Sequence, residues 1–233
     1  MDGFLLYNSN MFYWILFIGI TLASWIVSRR VERKFKEYSE EALPMTGAQV
    51  AEKMLRDNDI MDVQVVCTSG FLTDHYNPAT KTVNLSESVY NGANVAAAAV
   101  AAHECGHALQ HNHAYAPLQL RSALVPVVNF SSHIMTWVLL IGILLVETLP
   151  QILLAGIVLF GLTTLFSFIT LPVEVNASQR AVQWLESAGI TDRNTTEMAS
   201  DALHSAAYTY VVAALSSLAT LVYYIMIFLG RRK

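Results

Sequence analysis

The sequence predicts a mainly α-helical membrane protein, with about four transmembrane helices and a small α+β region. That region consists of a short β-hairpin and a helix carrying a metal-ligand motif. Three observations support this reading. Of the 233 residues 54% are hydrophobic and only 14% are charged, whereas average soluble domains carry about 25% charged residues. The apolar residues concentrate in long runs, and His103-Glu104-Cys105-Gly106-His107 closes an alanine-rich stretch. A net charge of −4 and the lack of a basic patch interleaved with aromatics exclude nucleic acid as a partner. Two cysteines, Cys67 and Cys105, are too few for a disulfide framework.

Phe4 to Val27 is an uncharged apolar run, long enough to cross a bilayer of about 30 Å. No basic segment precedes it and no small-residue cleavage site follows, so a retained first span is expected rather than a signal peptide. Arg29, Arg30, Arg33, Lys34 and Lys36 follow at once. This is the densest positive cluster, and the positive-inside rule puts it in the cytoplasm. Pro44 and Thr46 precede an amphipathic helix over Gly47 to Leu55. Val63, Val65 and Cys67 read as one strand, and Val83 and Leu85 as a second. Asn77-Pro78 supplies the turn between them. A hairpin beside the metal helix would offer a strand edge to an extended peptide. Asp74, His75 and Tyr76 are either part of the site or polar turn residues.

Ile134 to Val146 and Ile152 to Leu171 read as a membrane hairpin joined by Glu147-Thr148-Leu149-Pro150-Gln151. Residues Val175 to Asp201 are polar and helical, with Gly189 as a stop, and Ala206 to Leu229 is a fourth apolar run before Arg231-Arg232-Lys233. The expected organisation is therefore residues 1–28 as the first span and 29–130 as the region with the hairpin and the motif helix. Residues 131–172 form the membrane hairpin, 173–205 a helix carrying a third metal ligand, and 206–233 the fourth span with a basic end.

The motif carries the chemistry. No glycine or proline interrupts Asn94 to Ala102, so a helix should continue through it. At 3.6 residues per turn His103 and His107 stack on one face, where two imidazoles can meet one metal ion. Glu104 lies about 100° round the helix, placed to take a proton from a water that zinc brings to a pKa of about 7. Cys105 lies about 200° from His103 and should point away from the metal. Gly106 costs about 1 kcal/mol inside a helix, which suggests that something packs close to its backbone. His111 shares the histidine face, but it and His113 suit a helix C-terminus better than a metal. Catalytic zinc takes three protein ligands. The best-placed downstream carboxylate is Glu174, expected in the first turn of a helix begun by Pro172. Glu186, Asp192 and Glu197 look like solvated surface.

Several blocks of the chain resemble the YugP-type family of multi-pass membrane neutral zinc metallopeptidases. They are Leu72-Thr73-Asp74-His75-Tyr76-Asn77-Pro78, Leu85-Ser86-Glu87-Ser88-Val89-Tyr90 and the motif itself. Further on come Tyr115-Ala116-Pro117-Leu118, Arg121-Ser122-Ala123-Leu124-Val125-Pro126, Leu171-Pro172-Val173-Glu174 and Thr209-Tyr210-Val211. The order of elements is similar, more distantly, to the HtpX and CaaX prenyl protease superfamily. That superfamily and the thermolysin-like enzymes place an Asp four residues after the ligand Glu to orient the first His. Here that residue is Ser178, a weaker partner than a carboxylate. Cys105 stands where the family usually has a small residue such as Ala.

The resemblance implies a zincin-like catalytic region and peptide hydrolysis. The expected function is a membrane-embedded zinc metalloendopeptidase of gluzincin-like H-E-x-x-H…E type. Its metal ligands would be His103, His107 and Glu174, with Glu104 as general base and Zn2+ as the cofactor. Tyr210 and His75 are the candidates to stabilise the oxyanion. The expected partners are protein or peptide substrates at or near the membrane, together with the lipid bilayer. The expected location is the cell membrane, with the catalytic region on the cytoplasmic side. The alternative is a catalytically silent client-binding or scaffold member of the same family. A transporter fits poorly, because the apolar runs hold almost no buried charge.

Overall fold

The structure, a computed structural model, describes residues 2–70 and 72–230. Phe71 in the expected inter-strand loop and the terminal Arg231-Arg232-Lys233 cluster lie outside the described residues. The chain runs through α1 (Asp2–Tyr38), α2 (Gly47–Asp57), β1 (Gln64–Thr68), β2 (His75–Asn77) and β3 (Thr82–Ser86). It continues through α3 (Glu87–Tyr90), α4 (Val95–Asn112), α5 (Ala116–Leu144), α6 (Pro150–Ser187) and α7 (Arg193–Gly230). Trp14–Tyr38 of α1 and the whole of α5, α6 and α7 are long and apolar enough to cross a membrane, four candidate spans among the described residues.

The chain divides into two compact units. The first holds the residues up to Val27, Leu120–Thr170 and those from Thr209 onward. Its buried centre is Leu139 of α5 with Leu153 and Ile157 of α6, against which Phe160, Leu221 and Tyr224 pack. The backbones come close here: a Cβ on Gly142 would stand 2.6 Å from the Leu153 Cα. Small residues permit such an approach between apolar helices, where dispersion replaces the hydrophobic drive. Thr164 and Ser217 add a hydroxyl pair at 2.7 Å between α6 and α7.

The second unit, Ser28–Gln119 and Leu171–Tyr208, has its own core. Thr46 and Gln49 form a reciprocal capping box that starts α2. Val50, Ala51, Met54 and Leu55 of α2 then bury against α4 and the sheet side chains Val83 and Leu85. Full burial of an aliphatic side chain of this size stabilises by about 1.5–3 kcal/mol. The C-terminal part of α1 joins this unit through Asp201 of α7. That carboxylate accepts from the Tyr38 hydroxyl at 2.7 Å and pairs with Lys34 at 3.1 Å and Arg30 at 3.7 Å. Two of the five clustered basic residues are thus held by an internal partner.

Three expectations need correction. The two expected strands do not form a hairpin: β1 and β3 pair in parallel, in the order β1-β3-β2. The hairpin is β2–β3, antiparallel, with Tyr76 opposite Val83. The chain reverses twice between β1 and β3, and three-residue β2 is too short for its alternation to register in sequence. Second, α5 begins at Ala116 and runs through Pro126, well before the apolar run at Ile134. Third, Pro172 does not begin a helix but lies inside α6, which starts at Pro150. Long apolar helices tolerate proline where neighbouring groups satisfy the freed backbone. Gly189 is the expected stop: it takes a φ of +67° and α7 starts four residues later.

Candidate metal centre

The site is built on α4. Asn94 caps its first turn by accepting from the Ala97 amide at 2.9 Å. Ala96, Ala97, Ala98, Ala99, Ala101 and Ala102 follow, all buried. A helix apolar on all sides is a central one, and alanine lets neighbouring backbones approach it closely. Cys105 turns away from the histidine face, with its sulfur 3.6 Å from the Ala51 carbonyl of α2. Burial pushes its thiol well above the ordinary range, so it packs as a small neutral residue.

Gly106 is where α6 arrives. A Cβ there would lie 2.6 Å from the Ala177 carbonyl oxygen and 3.1 Å from its Cα. This approach brings a second pair of polar residues, Glu174 and Ser178, one turn apart on α6, to His103 and His107, one turn apart on α4. Glu174 Oε2 lies 3.3 Å from His103 Nε2 and 3.6 Å from His107 Nε2. The ligand atoms of these three residues fall within 4.8 Å of one another, and among the described residues they form a group able to hold a metal. Zn–N and Zn–O bonds of about 2.0–2.1 Å in a tetrahedron imply ligand separations of roughly 3.3–3.4 Å. The donor set suits zinc, and the two separations from Glu174 lie close to that value.

Each imidazole is held from behind. His103 Nδ1 lies 3.1 Å from the Ser178 hydroxyl. His107 Nδ1 lies 3.0 Å from Gln110 Oε1. Burial disfavours charge on His107, but Glu174, Glu104 and Gln110 outweigh it and raise its pKa above the ordinary imidazole value. Glu104 is 9% exposed and stays outside the three-ligand group. Its Oε2 accepts from the backbone N–H of Tyr76 at 3.0 Å, which ties β2 to α4. The Tyr76 hydroxyl lies 2.9 Å from His111 Nδ1, and burial raises the Tyr76 pKa.

The remaining sequence candidates fall elsewhere. Asp74 is committed to Ser86, accepting from its amide at 2.7 Å and its hydroxyl at 3.0 Å, which fastens the loop to the end of β3. His75 is exposed, with Nδ1 2.7 Å from the Thr73 carbonyl. Of the three residues Asp74, His75 and Tyr76, it is Tyr76 that touches the motif. Tyr210 belongs to the apolar unit and is 39% exposed. His113 pairs with Arg180 at 3.3 Å. Glu186, Asp192 and Glu197 are all exposed, and Asp192 also caps α7 by accepting from the Thr195 amide at 2.8 Å. Sequence reasoning missed Gln110, Asn176 and Arg180. The available signal was a glutamine one turn after the second motif histidine.

Residues 13–229 match the model of a family described as "putative neutral zinc metallopeptidase". The chain belongs to that family. It is also 43% identical over 224 residues to a Bacillus subtilis (strain 168) protein named "putative membrane protease YugP", covering 94% of this chain and 99% of that one. No solved structure matches. Membership in a zinc metallopeptidase family agrees with a group of two imidazoles and one carboxylate.

Two outcomes are expected. Gly106→Ala should force α4 and α6 apart, costing about 1–3 kcal/mol and lowering zinc content. Wild-type Tm and zinc content in that variant would show that the helices can yield. The second concerns pH. Because the folded-state pKa of His107 is raised, its protonation stabilises the metal-free protein fully below the unfolded value near 6.5 and is lost as pH rises through the raised pKa. Zinc needs the neutral ring, so its affinity should instead fall as pH drops through that pKa. Zinc titrations between about pH 6 and 9 that give one constant affinity would contradict this.

Proposed function

We propose that the protein is a membrane zinc endopeptidase with a zincin-like, gluzincin-type site. The observation that carries this reading is the convergence of His103, His107 and Glu174 with Glu104 held beside them but outside the ligand group. Family membership supports the class of reaction. When bound there, zinc supplies a Lewis acid for the scissile carbonyl and lowers the pKa of water to about 7. His103, His107 and Glu174 hold the ion. Glu104 takes the proton from the attacking water and passes it to the leaving amine. The Tyr76 amide fixes one oxygen of Glu104 and leaves the other for the water. β2 is an edge strand, which suits an extended peptide substrate. His75 and Tyr210 remain the proposed donors to the oxyanion.

The substrates proposed are proteins or peptides at or near the bilayer, on the cytoplasmic side. The name of the Bacillus subtilis relative supports the membrane setting. The cluster from Arg29 to Lys36 supports the side.

Glu104→Gln decides between catalysis and silent binding. The variant should keep about one zinc per chain and lose peptide hydrolysis by about 10²–10⁴-fold, because its amide cannot accept the proton. His103→Ala, His107→Ala and Glu174→Ala should lose the zinc. Near-wild-type turnover by zinc-loaded Glu104→Gln would assign the base elsewhere, and an inert wild type with full zinc would favour the scaffold reading. Sidedness has a separate test. In a protein with Cys67 and Cys105 replaced, a cysteine at exposed Asp59 should resist a membrane-impermeant thiol reagent in intact cells. Rapid labelling would place the site outside.

A further inference from the structure

Gln110 is fully buried on α4, so both ends of its amide need partners inside the protein. Its nitrogen Nε2 donates to the Val173 carbonyl at 2.7 Å and to Asn176 Oδ1 at 3.1 Å, both on α6. Asn176 Oδ1 in turn accepts from Arg180 Nε at 2.8 Å. A guanidinium has donors only, and a backbone carbonyl only accepts. The direction of every bond in this chain is therefore determined from its ends. Arg180 requires the oxygen of Asn176 to face it. That oxygen and the Val173 carbonyl require the NH2 of Gln110 to face them. The Gln110 oxygen is left facing His107 Nδ1 at 3.0 Å.

We propose that Gln110 is a positioning residue that fixes the tautomer of His107, holding the proton on Nδ1 and the lone pair on Nε2. The lone pair then points toward Glu174, 3.6 Å away, where the metal would bind. This rests on the metal-centre reading and not on peptide hydrolysis. The two histidines differ in this respect. His103 faces the Ser178 hydroxyl, which donates or accepts equally well and imposes no tautomer. The lock also reaches across from α4 to α6, so the two bonds donated by Gln110 help set the register between the helix bearing His107 and the one bearing Glu174. An amide achieves this without placing another carboxylate beside Glu174 and Glu104, where burial would make it costly.

The test is the tautomer itself, read from the 15N shifts of the His107 ring in the full-length, metal-free protein. The measurement is made in detergent at alkaline pH, where the ring is neutral, and His107→Asn assigns the signals. The wild type should carry the proton on Nδ1. Gln110→Met preserves volume but replaces the carbonyl with a weakly accepting thioether and removes the NH2 donor, so His107 should become a mixture of tautomers or shift toward Nε2–H. Zinc affinity should fall by about 10–100-fold. A wild-type proton on Nε2 overturns the proposal, whether or not Gln110→Met folds. So does a folded Gln110→Met with unchanged tautomer and zinc affinity. Absence of zinc binding by the wild type would instead defeat the metal-centre reading, which separates the two failures.

Discussion

The site depends on one close approach, between Gly106 of α4 and the backbone of Ala177 on α6. Residues one turn apart on a helix share a face. His103 and His107 form such a pair on α4, and Glu174 and Ser178 form one on α6, with Ala177 beside the second pair. Only when the two backbones touch do the short side chains of these pairs meet, without long flexible stems between them. Any Cβ at position 106 would enter the Ala177 carbonyl. The buried alanines that fill the rest of α4 serve the same end on its other sides, letting α2 and the sheet close in without displacing the histidines.

A polar cluster inside such a core is stable only if each group has a partner. The described residues meet that condition closely, since Ser205 Oγ is the buried side-chain atom left without one. Around the metal ligands the partners are mostly neutral: a hydroxyl for His103 and an amide for His107. With Glu174 and Glu104 already contributing two negative charges, a divalent cation balances the site, and a further carboxylate would leave an excess that burial penalises. Glu104, in turn, is steadied by a backbone amide of β2, so the small sheet is tied to the motif helix by a hydrogen bond as well as by packing.

What could be read from the sequence followed period and chemistry. The two motif histidines share a face because of helical geometry alone, and Gly106 signalled a close neighbour because a glycine inside a helix is otherwise unfavourable. Three of the apolar runs were plain from their length, whereas Ile134–Val146 was short and belongs to a helix that begins at Ala116. The sheet was harder. β2 has three residues, too few for alternation to show, and parallel pairing of β1 with β3 depends on how the intervening chain reverses. Pro172 misled because proline at a helix start and proline inside a long apolar helix look alike locally. Glu174 was placed on a helix for a reason the structure does not support, although the residue itself does reach the histidines.

By itself the sequence determined the number of apolar helices, the face shared by His103 and His107, and the separation of Glu104 from that face. These follow from residues within one or two turns of each other, where covalent geometry decides. Only the tertiary structure decided which distant residues complete the centre: Glu174 and Ser178 behind the Gly106 approach, Tyr76 at Glu104, and the Arg180–Asn176–Gln110 chain behind His107. Their separations along the chain are 28 residues from Tyr76 to Glu104 and 63 from Gln110 to Val173. No local periodicity links such residues. They meet because two helix backbones pack without side chains between them, and because a buried donor must find an acceptor wherever the fold supplies one.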